Sequence, residues 1–378
     1  MAFNNTAPTN KRATMNGLAS RRLIPLVWAI VAGIIAGGSA FPTRAQSLDR
    51  VRRVAAADIQ GEVIDTSPNG IDLENRNGTT KIPIESIREV LFGKEPEELK
   101  SARTLLLRKD GAGALDQLDK IKPADKEGLT KNIQTELAFV HAAATARKAL
   151  ATGEGLAGGQ KAVTDFVTTF PRSHHLYDMQ ELLGTVLARQ GKIAEAAAAY
   201  GSLAKGPPVI EVRAATLKAD LLSGQQKYAE AIREYEAAAK AATRIEGESG
   251  KRAKLGTELG RARCLTRLGK AADALVASQG MLKDADPGDS ESLARIFGVL
   301  GDAQRAIGDK DRDAIISFLT IDMVHNLLPE EHAEALFNLV ELWDKTNNPE
   351  RAREARQDLE TTYPDSPWTK KLRAAKAS

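Results

Sequence analysis

The chain has 378 residues, with 53 Lys and Arg against 50 Asp and Glu, and a single cysteine, Cys264. One cysteine excludes an intramolecular disulfide, so the fold must depend on a hydrophobic core. The near balance of charges, with no basic block, argues against a nucleic-acid-binding protein.

The N-terminal segment, residues 1–45, differs from the rest of the chain in its charge. It contains five Lys and Arg but no Asp or Glu, and Leu23–Thr43 is uncharged and mostly apolar. A basic segment followed by an apolar one is typical of a secretory signal peptide, and small residues offer cleavage sites after Ala40 or Ala45. The same run is long enough to span a bilayer, so an uncleaved N-terminal anchor is the alternative.

Both alternatives export the remainder of the chain, because positive charge before an apolar segment stays on the cytoplasmic side. Residues 46–378 carry 48 basic and 50 acidic side chains, a net charge of −2. We therefore expect a periplasmic or cell-envelope protein. Membrane contact is expected only through residues 21–43, and only if the segment stays uncleaved.

Residues 46–95 are expected to form a small β module that precedes a helical domain over residues 96–378. Alternating apolar residues predict four short strands, with turns at Ser67–Gly70 and Asn77–Gly78. Their order is similar to that of small Sm-like barrels. We expect a module this small to pack on the first helices. The predicted strands are Ile59–Ile64, Ile71–Glu74, Thr80–Ile84 and Val90–Phe92.

A small residue recurs at near-constant spacing through the helical part of the chain. Neighbouring members are 34 to 48 residues apart, a period typical of stacked helical hairpins. Each is expected where the second helix of a hairpin presses on the first. The series is Ala114, Ala162, Ala196, Ala231, Ala274, Ala314 and Ala352.

The clearest copy of the repeat lies between Ser173 and Pro208. Apolar residues at helical spacing predict a first helix that a glycine ends, and a second helix that ends before Pro208. Pro208 follows Ala196 by 12 residues, and Pro364 follows Ala352 by the same interval. An ordinary antiparallel helical bundle is the alternative, but a bundle does not require a repeated interval of this kind.

In this copy, Gly184 and Ala196 are the small residues that let two helices approach, and Tyr200 is the large residue that fills the gap to the next hairpin. The pattern resembles the tetratricopeptide repeat over roughly residues 96–370. The copy around Ala314 matches least well. The resemblance implies a mainly α fold, a solenoid of about six to seven helical hairpins, preceded here by the β module and an N-terminal apolar export helix.

In the tetratricopeptide family, the first helix of each hairpin lines a concave surface that binds peptide segments or helices. The resemblance therefore implies a protein-binding scaffold. Polar positions of the first helices map onto that surface and are candidate partner-binding residues, although solvated helix surface is the alternative for each. They are Glu181, Arg189, Arg213, Asp220, Arg263 and Arg267.

No group of residues predicts catalytic residues, a metal site or a bound cofactor. Gly153–Gly158 has the spacing of a dinucleotide-binding loop, but it follows a predicted helix, whereas such a loop follows a strand. The adjacent His174 and His175 are expected to be solvated at the start of a helix and to point in different directions, which disfavours a shared metal ion.

These features predict a non-catalytic interaction scaffold with protein partners in the cell envelope. Leu359–Trp368 is similar to repeat ends in bacterial envelope assembly and division proteins. One alternative is a self-assembling structural protein of the envelope, whose arrays stack end to end. The other is an enzyme or small-ligand carrier with its site in the groove.

Overall fold

The computed structural model describes residues 48–54 and 56–377. Five strands come first and form one antiparallel sheet in the order β4-β3-β2-β1-β5. The predicted export segment lies outside the described residues. None of the helices in the described part is both long and apolar enough to cross a membrane. The strands are β1 Asp49–Arg53, β2 Ile59–Ser67, β3 Gly70–Asn75, β4 Gly78–Pro83 and β5 Ile87–Leu91.

A turn connects β2 to β3 at the predicted position, since Ser67 pairs with Gly70. The turn between β3 and β4 lies one residue earlier than predicted: Asn75 pairs with Gly78, so Arg76 and Asn77 form its tip. The structure adds one strand to the four predicted, β1, which pairs with both β2 and β5. Its sequence is mostly charged and only Val51 is buried, so the alternation that reveals a strand is absent there. The similarity to Sm-like barrels stays a prediction.

Sixteen α-helices follow the sheet in the described chain, and fourteen of them form seven antiparallel hairpins. The short helix α3 connects the first two hairpins, and α16 follows the last. The first helices of the hairpins are α1 Glu97–Leu107, α4 Lys131–Thr152, α6 Leu176–Arg189, α8 Pro208–Gly224, α10 Gly247–Arg267, α12 Ser290–Ile307 and α14 Pro329–Lys345. The second helices are α2 Gly111–Leu118, α5 Leu156–Thr169, α7 Ile193–Leu203, α9 Tyr228–Ala242, α11 Ala271–Asp284, α13 Asp311–Val324 and α15 Pro349–Thr362. The remaining two are α3 Pro123–Lys126 and α16 Pro367–Ala377.

A small buried residue occupies the fourth position of every second helix. In six hairpins it is an alanine of the predicted series, at most 2% exposed. The exception is α5, where the fourth residue is Gly159, and the predicted Ala162 is only partly buried. The predicted residue, Ala162, was wrong because Gly159 has no side chain to mark its position as apolar. The six alanines are Ala114, Ala196, Ala231, Ala274, Ala314 and Ala352.

Three first helices also carry a glycine that receives an aromatic ring from a second helix. The ring of Tyr200 in α7 packs directly on Gly184 in α6, and that of Tyr235 in α9 packs on Gly260 in α10. In α12, a Cβ atom on Gly301 would lie 2.7 Å from Cζ of the buried Phe318. Tyr200 also belongs to an apolar cluster with Ile210 of the next hairpin, as predicted. These contacts set the distance between helices.

The array is strongly curved, with the first helices on the inner side. Neighbouring first helices contact one another, whereas second helices pack mainly on first helices. The curvature brings Nζ of Lys109, which follows α1, to 3.4 Å from Oε1 of Glu330 at the start of α14. Because a stack of hairpins curves toward the side where its helices are closest, the first helices line a concave face.

The sheet shares its hydrophobic core with the first three hairpins. Val51 and Leu73 of the sheet belong to the same buried cluster as Leu99 in α1 and Val140 in α4. Sharing a core provides the apolar burial that a five-stranded sheet of this size lacks alone. The predicted packing of the β module on the first helices is therefore confirmed.

A buried ion cluster joins the segment that follows β5 to the helical array. Arg103 in α1 donates hydrogen bonds to Glu95, which follows β5, at 2.5 Å and to Glu136 in α4 at 2.8 Å. Glu136 also contacts Nε2 of His175, 2.7 Å away. All but His175 are at most 6% exposed. Removing one member of such a cluster leaves a buried charge without its partner, which is strongly destabilising.

The glycine contact in α12 gives the first test. We expect Gly301→Ala to lower the free energy of unfolding by about 1–3 kcal/mol, because its Cβ overpacks against the buried ring of Phe318. Gly298→Ala in the same helix is the matched control, since the nearest atom to its Cβ, on Ile321, is 3.9 Å away. The control should gain up to about 1 kcal/mol from helix propensity.

Urea denaturation followed by circular dichroism measures both variants. Equal effects of the two substitutions would contradict the assignment of Gly301 as a close-approach site.

Candidate functional site: a charged cavity on the concave face

A cavity of about 410 Å³ opens on the concave face among α10, α12, α14 and α16. Two of the predicted residues, Arg263 and Arg267, line it from α10. They are four residues apart, so they lie on the same face of their helix. Opposite charges come from Asp302 in α12 and Glu334 in α14. The array therefore brings four charged side chains from three successive hairpins to one concave site.

The far side of the cavity is organised by two fixed cations. Arg305 in α12 donates hydrogen bonds to the side chains of Asn338, at 2.5 Å, and Glu341, at 2.6 Å, in α14. Nζ of Lys371 in α16 lies 4.4 Å from the ring centroid of Phe337 and 5.1 Å from that of Trp368. An ammonium group held over aromatic rings is stabilised electrostatically by them.

Four other charged groups that line the cavity, by contrast, lack direct partners. Neither guanidinium group, of Arg263 or of Arg267, makes a hydrogen bond or ion pair within residues 48–54 and 56–377. The same holds there for the carboxyl groups of Asp302 and Glu334. These four groups are the ones available to a ligand.

Burial raises the pKa of Glu334 to about 7, and the nearby carboxylate of Asp302 adds to the effect. Burial also raises the pKa of Asp302, although Arg263 and Arg267 act in the opposite direction. Near neutral pH, Glu334 is therefore partly protonated and able to donate as well as accept a hydrogen bond.

The other four predicted residues lie outside this cavity. Arg213 in α8 donates to Asp178 at 3.1 Å and pairs with Glu181, which ties α8 to α6. Asp220 accepts a hydrogen bond from the hydroxyl of Tyr235. The fourth, Arg189, is exposed in the last turn of α6. Three of the four are thus held by contacts between helices of the array.

The prediction missed Asp302, Arg305 and two residues of α16, Trp368 and Lys371. The first two lie in the hairpin whose repeat pattern is weakest, so the sequence does not mark its concave positions. The signal that could have found them is Gly301, which precedes Asp302 as Gly184 precedes Thr185 in the clearest copy. Trp368 and Lys371 lie beyond the last hairpin, where no repeat position marks them.

The expectation of a solvated histidine pair was wrong. His174 is 6% exposed, and its ring centroid lies 3.9 Å from that of His175. Both residues precede α6 and lie in a turn, so the angular spacing of a helix does not separate their side chains. Burial, followed by the proximity of His175, lowers the pKa of His174 to about 3. Its imidazole is therefore neutral near neutral pH.

A second cavity, of about 490 Å³, lies among α2, α4 and α5. Apolar side chains such as Leu137 and Phe166 line much of it, and none of the six predicted residues does. The concave cavity is lined by the predicted Arg263 and Arg267 and lies on the inner helices, and it is therefore the candidate site.

Solved structures of other proteins resemble this array. A tetratricopeptide repeat protein from Parabacteroides merdae ATCC 43184 is 14% identical, covers 73% of this chain and 96% of its own, and has a TM-score of 0.50. The apo form of RapI is 12% identical, covers 72% of this chain and 77% of its own, and also has a TM-score of 0.50. The fold is a tetratricopeptide-repeat-like solenoid. At these identities the similarity is one of fold.

No protein-family model matches the sequence, and neither does any curated protein sequence. The structural comparison confirms the tetratricopeptide-repeat-like fold of the helical array. It does not identify the site residues.

The raised pKa of Glu334 makes a testable contribution to stability. Between about pH 4.5 and pH 7, the unfolded chain ionises this carboxyl group while the folded chain keeps it protonated. The free energy of unfolding therefore falls as the pH rises through this window, and the loss is complete above it. We expect Glu334→Gln to gain stability relative to the wild type as the pH rises from 4.5 to 8.

Unfolding midpoints of both proteins at several pH values measure this difference. Glu330→Gln, an exposed acid on the same helix, controls for the loss of a carboxylate. A stability difference that does not change across the window contradicts a raised pKa at Glu334.

Proposed function

We propose that this protein is a non-catalytic scaffold that binds a peptide segment or helix of a protein partner in its concave groove. The observation that carries the proposal is the cavity on this face, where Arg263 and Arg267 have no ion-pair partner in the described chain. Charged side chains without a direct ion-pair partner are suited to pairing with charged groups of a ligand.

The chemistry of the cavity favours a partner segment with acidic side chains beside an apolar one. The carboxylates would pair with Arg263 and Arg267, since guanidinium groups bind carboxylates through two parallel hydrogen bonds. An apolar or aromatic side chain would contact the partly exposed Trp368, next to Lys371. Aromatic and arginine side chains are the residue types that contribute most to protein interfaces.

We place this scaffold in the cell envelope. The support is the basic and apolar sequence of residues 1–45, which is typical of an export signal. In this setting the partners are envelope proteins, and the array either remains tethered by residues 21–43 or is released into the periplasm.

A double charge reversal tests the groove. We expect Arg263→Glu with Arg267→Glu to reduce recovery of the partner at least tenfold, because two attractive charges become repulsive. Cross-linked pull-down from an envelope extract, with quantitative mass spectrometry, compares the variant with the wild type. The matched control is Arg312→Glu with Arg353→Glu, which reverses two exposed charges on the second helices α13 and α15.

Circular dichroism must show that both variants keep the wild-type helix content. Equal recovery by the groove variant and the wild type contradicts the proposed site. If the wild type recovers only copies of itself, and its mass in sedimentation rises with concentration, the self-assembling alternative replaces the scaffold.

The export proposal has its own test. N-terminal sequencing of the protein isolated from the envelope fraction should find a mature chain that begins at Phe41 or Gln46, or an intact N-terminus if the segment is an anchor. Recovery of the protein exclusively from the cytoplasmic fraction would contradict export.

A further inference from the structure

The buried ion cluster beside the sheet contains a set of metal-binding groups. Glu136 in α4 and the two histidines before α6, His174 and His175, each offer a ligand atom, and these atoms all lie within 4.8 Å of one another. Two imidazoles and one carboxylate are the protein ligands of many zinc sites. The cluster is remote from the concave cavity in sequence and belongs to different hairpins.

Local structure fixes the two imidazoles. The turn before α6 brings the rings of His174 and His175 together, 3.9 Å between centroids. Phe139 in α4 stacks on His175 with a centroid distance of 3.5 Å and an interplanar angle of 2°. A ligand whose ring plane is fixed in advance loses little conformational entropy when it binds an ion.

The charges of the cluster leave room for a cation. Arg103 is the cation that contacts both Glu95 and Glu136, and the side chains of these two acids are at most 3% exposed. Two buried carboxyl groups thus share one guanidinium group, while the nearby Glu89 pairs with Arg52. A cation bound at Glu136 would add a second positive charge beside these carboxyl groups.

His174 is available as a third ligand. The residue is 6% exposed, and its ring nitrogens make no hydrogen bond with any residue in the described ranges. A metal ion would use a lone pair of this imidazole together with Glu136 and His175.

We propose that Glu136, His174 and His175 bind one divalent transition-metal ion, with Zn²⁺ as the ion that best matches the ligand set. In a tetrahedral site with bonds of about 2.0–2.1 Å, ligand atoms are about 3.3 Å apart. Oε2 of Glu136 and Nε2 of His175 are 2.7 Å apart, so the two side chains would separate slightly as the ion replaces the proton between them.

Neighbouring residues would orient the ligands. Arg103 holds Oε1 of Glu136 at 2.8 Å, which leaves Oε2 directed toward the histidines. Outer contacts of this kind tune the affinity of metal sites. The ion would connect α4 to the start of α6 and, through Arg103 and Glu95, to the end of the sheet. Its role would be structural, at the junction of the sheet and the array.

Zn²⁺ titration of the chelator-treated full chain tests the proposal. We expect isothermal titration calorimetry to show one equivalent of Zn²⁺ bound, and Co²⁺ to give the visible absorption of a tetrahedral site. His174→Ala should weaken Zn²⁺ binding more than a hundredfold. This substitution breaks no hydrogen bond, so the Arg103 contacts remain. His141→Ala, an exposed histidine in α4, is the matched control and should bind as the wild type does.

Thermal unfolding separates a site in the cluster from a surface site. Zn²⁺ should raise the melting temperature of the wild type and of His141→Ala, but not that of His174→Ala. The proposal is overturned if the folded wild type shows no saturable binding. It is also overturned if His174→Ala keeps the full affinity.

Discussion

Close approach of two helices within each hairpin is the constraint on which the rest of the structure depends. Every second helix has a buried alanine or glycine as its fourth residue, where a larger side chain would separate the pair. Three glycines on first helices add space for an aromatic ring, as Gly301 does for Phe318. Because dense packing tolerates neither voids nor overlaps, these positions determine how each hairpin closes.

Hairpin geometry in turn decides which side chains reach the groove. The first helices contact one another along the inner side, so polar residues on their free face converge on a concave surface. Contacts between helices use some of these residues, as Arg213 does with Glu181. Where adjacent hairpins leave side chains without an ion-pair partner, as at Arg263 and Arg267, these side chains can pair with a ligand. One array thus provides both its own cohesion and a binding site.

The sequence predicts the hairpins well because a small residue and a helix end recur with them. It locates Arg263 and Arg267 correctly on a first helix, since their four-residue spacing is visible. It does not distinguish them from Arg213 and Asp220, whose contacts depend on the distance between hairpins. Nor does it bring Glu136 to His175, 39 residues later, because turn geometry decides where these histidines point. Local periodicity is readable from the sequence, whereas contacts across hairpins require the packed structure.

Site-specific photo-cross-linking in living cells directly tests whether the concave face binds the partner. A photoreactive amino acid replaces Thr266, which lines the cavity, or Val276, which is 69% exposed on the second helix α11. If the concave face binds the partner, position 266 should give a cross-linked partner and position 276 none. A partner captured from position 276 alone would contradict binding on the concave face, because binding would then occur on the outer helices.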